Sequence, residues 1–145
     1  MQGSNYQIDI EPLCKIPLAI AKDDMQAEII KKVELMIETN NQINAINTRF
    51  FKLLAGDFPK ININKQIQKW SELSWNEFLS EIAKQKFELT AKQEEKWLER
   101  LEEKQAEIRK LQSAFTQTDT EIDKMVYALY GLSEEEIAVV KNLVN

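Results

Sequence analysis

Residues 97–129 read WLERLEEKQAEIRKLQSAFTQTDTEIDKMVYAL, and this stretch decides the fold. Trp97, Leu101, Lys104, Ile108, Leu111, Phe115, Thr118, Ile122, Met125 and Leu129 are separated by alternating steps of four and three, and eight of the ten are apolar. Such spacing draws a heptad-like stripe down one face of a helix. Thr90-x-x-Gln93 ahead of the stripe forms a capping box, and Gly131 behind it is a C′ stop. A helix of that length would run about 60 Å at 1.5 Å per residue, longer than a compact domain of this size. Thr116 to Thr120 are weak helix formers, and Thr118-x-x-Glu121 offers a fresh cap. One unbroken helix and two shorter ones both fit the pattern.

Working outward, a second stripe precedes the first. Ile29, Val33, Met36, Asn40, Ile43, Asn47, Phe50 and Leu54 again step by four and three, with six of eight apolar. Asn40 and Asn47 either sit in the seam, where polar residues fix register, or drift off it to face water. Asp23-x-x-Gln26 is a capping box for this helix, and Gly56, followed by Asp57 and Pro59, ends it. Residues 57–64 connect to a short helix or turn carrying Ile67, Trp70 and Leu73. Ser74-x-x-Glu77 opens a helix that buries Phe78, Leu79, Ile82 and Phe87. Ser133-x-x-Glu136 opens a last short helix with Ile137, Val140 and Val144. Glu134, Glu135 and Glu136 fall in its first turn, where the helix dipole favours negative charge. The N-terminal segment differs. Tyr6 to Ile10 alternates apolar and polar, and Pro12 and Pro17 forbid a regular helix, so residues 5–21 read as extended.

The fold class expected is mainly α: a long antiparallel, coiled-coil-like helical hairpin with shorter packed helices and a short extended N-terminal segment. The middle segment and the C-terminal helix are expected around one end of the hairpin. The domain reading divides the chain into residues 1–22, the edge of something larger upstream, and residues 23–145, a helical spacer or bundle.

Composition narrows the chemistry. In 145 residues there is no histidine, which excludes a Ser-His-Asp triad, a Cys-His dyad and any His-ligated metal. Cys14 is the only cysteine, so an internal disulfide is impossible and a thiolate zinc site is not expected. Only 3 Gly and 3 Pro are present, too few for a fold of many hairpins. No Lys or Arg precedes the first apolar residues as in a signal peptide, and the run Ile16–Ala21 is too short to span a bilayer. The expectation is a cytoplasmic protein without a membrane partner. Net charge is −5, and no segment is strongly basic, which argues against the chain gripping DNA alone.

Candidate chemistry is sparse. Gly3, Gly56 and Gly131 are too far apart for a phosphate loop. Glu94-x-Lys96 and Glu102-x-Lys104 match the acidic-x-Lys triplet of nucleases by letter, but they fall on a helix face where such triplets form ion pairs. Trp70, Trp75 and Trp97 are of a type that stacks on bases, yet each lies on or beside an apolar stripe, where core packing accounts for it. Cys14 has only Lys15 as a basic neighbour, so no activated nucleophile is expected. Catalytic, cofactor and metal residues are therefore none, and DNA-contacting residues are unassigned.

The segment Glu121-Ile122-Asp123-Lys124-Met125-Val126-Tyr127-Ala128-Leu129-Tyr130-Gly131-Leu132-Ser133-Glu134-Glu135-Glu136-Ile137 resembles the C-terminal end of bacterial type IIG and type IIS restriction–modification enzymes. These fuse an adenine-specific DNA methyltransferase to a target-recognition region, often with a nuclease. The order upstream is similar: Tyr6 to Ile20 resembles the last strands of a target-recognition domain, Ile16-Pro17-Leu18 and Gln26 the step into a long helix, and residues 65–87 the middle segment. The likeness is specific only in the last 20 or so residues. It implies a non-catalytic helical part of such an enzyme, supporting sequence-specific recognition of double-stranded DNA and docking on the methyltransferase/nuclease body. S-adenosylmethionine and magnesium would belong to the parent enzyme, since this chain lacks the Asn-Pro-Pro-aromatic motif. The signature residues are Ile122, Asp123, Val126, Tyr127, Leu129, Tyr130, Gly131, Leu132 and Glu136. Ile122, Val126 and Leu129 are expected at the seam, and Tyr127 and Tyr130 to bury their rings with hydroxyls bonded. The alternative is a coiled-coil interaction or scaffold module unrelated to DNA.

Overall fold

A computed structural model describes residues 21–144. The expectations for residues 1–20, including Cys14 and the extended reading of Tyr6 to Ile20, lie outside the described residues. Two long helices dominate: α1 (Asp23–Asp57) and α4 (Ala91–Tyr130). Between them come α2 (Lys65–Gln68), a 3₁₀ turn at Trp70–Glu72, and α3 (Trp75–Lys84); α5 (Glu134–Val144) follows. Among the described residues there is no strand.

The long helices pack antiparallel. Lys96 Nζ of α4 lies 3.4 Å from Asp57 Oδ2 at the end of α1, and Lys32 Nζ near the start of α1 lies 2.7 Å from Glu121 Oε2 late in α4. The chain crosses between them through the middle segment. α4 is continuous over 40 residues, about 60 Å. The hydroxyls of Thr116, Thr118 and Thr120 donate to the carbonyls of Gln112, Ala114 and Thr116 one turn back. Those bonds satisfy the side chains without opening the helix, so Thr118 stays in the seam, buried.

Helix ends follow the sequence at Ser74, Thr90, Ser133 and Gly131 and depart from it in two places. Ser74 and Glu77 form a full capping box, Ser133 and Glu136 form the same reciprocal pair, and Gln93 Oε1 accepts from both the N–H and the hydroxyl of Thr90. Asp23-x-x-Gln26, by contrast, is no capping box. Lys22 is the N-cap and contributes no side-chain bond, while Asp23 and Asp24 lie inside the first turn, where their charge favours the dipole. Gly56 is likewise not the stop. The helix continues to Asp57 and ends at Phe58, whose φ −126° and ψ 83° lie outside the α region that the residue before Pro59 disfavours.

Among the described residues, all ten deeply buried apolar side chains lie between Phe50 and Ile108, at the end where the middle segment packs. The other half of the hairpin is a thin two-helix stalk. Its deepest residues are Thr39 and Thr118, and Met36, Ile43, Phe115, Ile122 and Met125 are half-buried. α5 follows α4 at the far end of this stalk, so the two shorter parts do not gather around one end as expected. The length of α4 separates them.

Candidate functional site

The middle segment is fixed to the hairpin by an aromatic hub. Phe50 of α1 stacks flat on Trp70, with ring centroids 3.8 Å apart and planes 6° from parallel. Trp97 of α4 meets Phe50 edge-on at 5.7 Å, and Phe78 of α3 closes against both at 6.2 and 5.9 Å. Trp70 and Trp97 are fully buried, and half-buried Trp75 stacks on Phe78. Trp70 and Trp97 are core residues with no face free for a base, and Trp75 packs against the core through Phe78. Phe58 adds contacts to Phe87 and Trp97, locking the turn after α1 onto the same hub.

Polar side chains set the register of the hub. Asn47 Oδ1 accepts from Trp70 Nε1 at 3.0 Å. Gln105 of α4, buried, donates from Nε2 to the carbonyls of Trp70 at 3.0 Å and Leu73 at 2.7 Å. It adds to the one bond the turn makes to the Trp70 carbonyl, from the Leu73 N–H at 3.3 Å. Glu81, also buried, accepts from Lys84 and from Asn64 Nδ2, and these bonds hold its carboxyl below the usual glutamate value. Gln85 grips the backbone of Asn62 on both sides, accepting from its N–H at 2.7 Å and donating to its carbonyl at 3.0 Å. None of Gln105, Glu81 or Gln85 stood out in the sequence. Their signal is a polar residue on or beside an apolar stripe, which is ordinary for surface residues too.

The two candidate acidic-x-Lys triplets are on exposed turns of α4. Lys96 pairs with Asp57, and Lys104 bridges Glu103 at 3.1 Å and Glu107 at 2.8 Å; Glu94 and Glu102 face solvent. Among the described residues no three Asp, Glu or Cys side chains gather to hold a metal ion. A groove of about 590 Å³ runs between α1 and α4 on the hub side, floored by Ile46, Phe50 and Leu53 and edged by Arg49, Lys96 and Arg100. Arg100 lies over the Trp97 ring at 4.7 Å. No described helix is long and apolar enough to cross a membrane.

The signature residues sit together at the far tip. Ile122, Val126, Leu129 and Leu132 are half-buried, whereas Asp123 and Glu136 are exposed. Gly131 adopts φ +64°, and the N–H groups of Gly131 and Leu132 reach the carbonyls of Ala128 at 3.1 Å and Tyr127 at 3.0 Å. This reverses the chain into α5. Tyr127 is half-buried with its hydroxyl 3.5 Å from Asp123 Oδ2; burial, then that carboxylate, push its pKa above the ordinary tyrosine value. Tyr130 departs from expectation. It is 47% exposed and does not bury its ring, because three residues along the helix turn it past the edge of the seam.

Residues 22–126 match a family described as a domain of unknown function (DUF8810). The chain belongs to that family. The family region takes in α1, the hub and most of α4, and it stops four residues short of the end of α4, before Tyr127 to Glu136. Comparison with curated proteins and with solved structures gives no match.

Proposed function

We propose that this chain is a non-catalytic helical spacer and docking element of a cytoplasmic restriction–modification enzyme, holding a DNA-recognition region at a set distance from the methyltransferase/nuclease body. The observation that carries the spacer reading is the unbroken 40-residue α4 braced along its length by α1 and anchored at one end by the aromatic hub. A rod so built transmits position over about 60 Å, which a loop of the same mass cannot do. The link to DNA modification rests on the resemblance of Glu121 to Ile137 to the ends of such enzymes. The chain's own charge is acidic, so DNA contacts are assigned chiefly to the rest of the enzyme. S-adenosylmethionine and magnesium would be bound there as well.

The test is the DNA surrounding the coding region. A reading frame carrying an Asn-Pro-Pro-aromatic motif and a Gly-containing cofactor loop, continuous with this chain or adjacent to it, is expected. Its absence on both sides would remove the basis for the DNA-modification reading and leave a spacer of another system.

A further inference from the structure

The middle segment folds back so that two of its loops run side by side. Gln85 Oε1 accepts from the Asn62 N–H, Gln85 Nε2 donates to the Asn62 carbonyl, and Asn64 Nδ2 donates to Glu81 at 3.1 Å. Four lysines lie within two residues of these ties: Lys60, Lys65, Lys84 and Lys86, all exposed. The charge of Lys84 is met by Glu81. Lys60, Lys65 and Lys86 have no carboxylate partner among the described residues. Of the acidic side chains in the segment, Glu72 and Glu77 lie at the opposite end of α3, and Asp57 just before it is engaged by Lys96 and Arg100. Glu88 is exposed, so three unpaired cations stand beside one unpaired carboxylate. Lys60 and Lys86 also hold φ +67° and +64°. Glycine or asparagine takes that left-handed conformation with less strain, so the backbone does not call for a lysine in either loop. The edge is bare of apolar surface as well: none of the large hydrophobic side chains exposed among the described residues falls between Phe58 and Glu88.

We infer that this lysine edge of the middle segment lies against the phosphate backbone of double-stranded DNA. That the polyanion is DNA rests on the DNA-modification reading; that it presents phosphates follows from the edge itself. Protein interfaces centre on apolar and aromatic side chains and are depleted in lysine, and an element lying on a membrane inserts apolar side chains; this edge offers neither. Lysine is a compact point charge that meets phosphate oxygens without reading bases. The contact is therefore independent of sequence. It sets where the hub rests on the duplex, while the rest of the enzyme reads the target. The net charge of −5 keeps the contact weak when the chain is alone.

Fluorescence anisotropy of a labelled DNA duplex with the 145-residue chain tests it. In about 0.1 M salt, where charges more than about 10 Å away are screened, binding is expected in roughly the 1–100 μM range, weakening as salt is added. The triple variant Lys60→Asn, Lys65→Gln, Lys86→Asn is expected to lose at least about tenfold in affinity and to flatten the slope of log K against log salt by about 0.9 per lysine removed. Its thermal midpoint is expected at or above that of the wild type, because asparagine eases the two left-handed positions. Lys31→Gln, Lys110→Gln and Lys124→Gln together make the same change of net charge on the stalk, where all three are exposed, and leave the binding unchanged. A wild type that leaves the duplex free, or equal loss in the two triple variants, would overturn the inference while leaving the DNA-modification reading to its own test by the neighbouring reading frames. Tighter association with poly-glutamate or with phosphatidylserine vesicles than with the duplex would overturn it in favour of an acidic protein or a membrane surface.

Discussion

Asn47 on α1 accepts the indole N–H of Trp70 at 3.0 Å, so a polar position in a helical stripe helps to fix where the middle segment lies. Trp70 is fully buried, so its N–H has no water to turn to. Asn40, one heptad earlier on the same stripe, is exposed. Two asparagines equivalent by spacing thus have opposite roles. Asn47→Leu should cost about 1–3 kcal/mol, the penalty for stranding a buried donor, while Asn40→Leu should change stability by less than about 0.5 kcal/mol. Urea unfolding of the two variants checks the contrast; equal effects would refute it.

Gln105 gives a sharper case. Its amide donates to two backbone carbonyls, and no water replaces it at a buried site. Gln105→Leu should destabilise by about 1–3 kcal/mol by leaving the carbonyl of Leu73 unpaired and that of Trp70 with only the Leu73 N–H, 3.3 Å away. Gln105→Glu also loses both donated bonds but keeps Arg109, whose Nη2 lies 3.1 Å from Gln105 Oε1, as a partner for its carboxylate, so at neutral pH it should destabilise without exceeding Gln105→Leu, and its midpoint should shift with pH where that of Gln105→Leu does not. Denaturation midpoints of both variants at two pH values would show this.

The two glycines inside described helix ends should respond in opposite directions. Gly131 sits at φ +64°, where a Cβ is strained whatever space surrounds it, so Gly131→Ala should cost about 1 kcal/mol. Gly56 is in the last turn of α1 with open space around it, so Gly56→Ala should stabilise by about 0.4–1 kcal/mol through loss of unfolded-state freedom. Thermal unfolding of the pair of variants reads both signs in one experiment.

The stalk is tied at its far end by Lys32 and Glu121. The hydrogen bond from Lys32 holds Glu121 below its usual value of 4.5, and the same bond raises Lys32 above 10.5. For the lowered carboxyl, the stability contribution is complete above about 4.5 and is lost as pH falls through its folded value. For the raised amine, it is complete below about 10.5 and is lost as pH rises through its folded value. The melting-temperature difference between wild type and Lys32→Gln should therefore be flat across neutral pH and shrink in acid and in strong alkali. A difference that grows in acid would contradict the pairing.

Burial also predicts a gradient. Backbone amides from Phe50 to Leu54 and Trp97 to Ile108 should exchange with solvent far more slowly than those near Met25 to Met36 and Ile122 to Leu129, because apolar cover is concentrated in the hub. Hydrogen exchange by mass spectrometry, compared at a concentration well below any self-association, measures this.

The α4 stripe, the Thr90 and Ser74 caps and the Gly131 stop were all legible in the sequence, because each depends on neighbours within a turn or two along the chain. So was the hairpin, since two long apolar stripes in one chain hide best against each other. Register was less so. Val33 and Asn40, on the ideal four-three series, are exposed, and Lys32 and Thr39 take their places, because 3.6 residues per turn carries a heptad series off the seam of a nearly straight helix. The break near Thr118 could not be ruled out from propensity alone; the partner helix along that turn decides it, together with threonine bonds to α4's own carbonyls. The placement of Gln105, Glu81 and Asn47 against the middle segment came only from tertiary structure. A polar side chain looks the same in sequence whether it meets water or a buried carbonyl from another helix, and only the packed chain tells them apart.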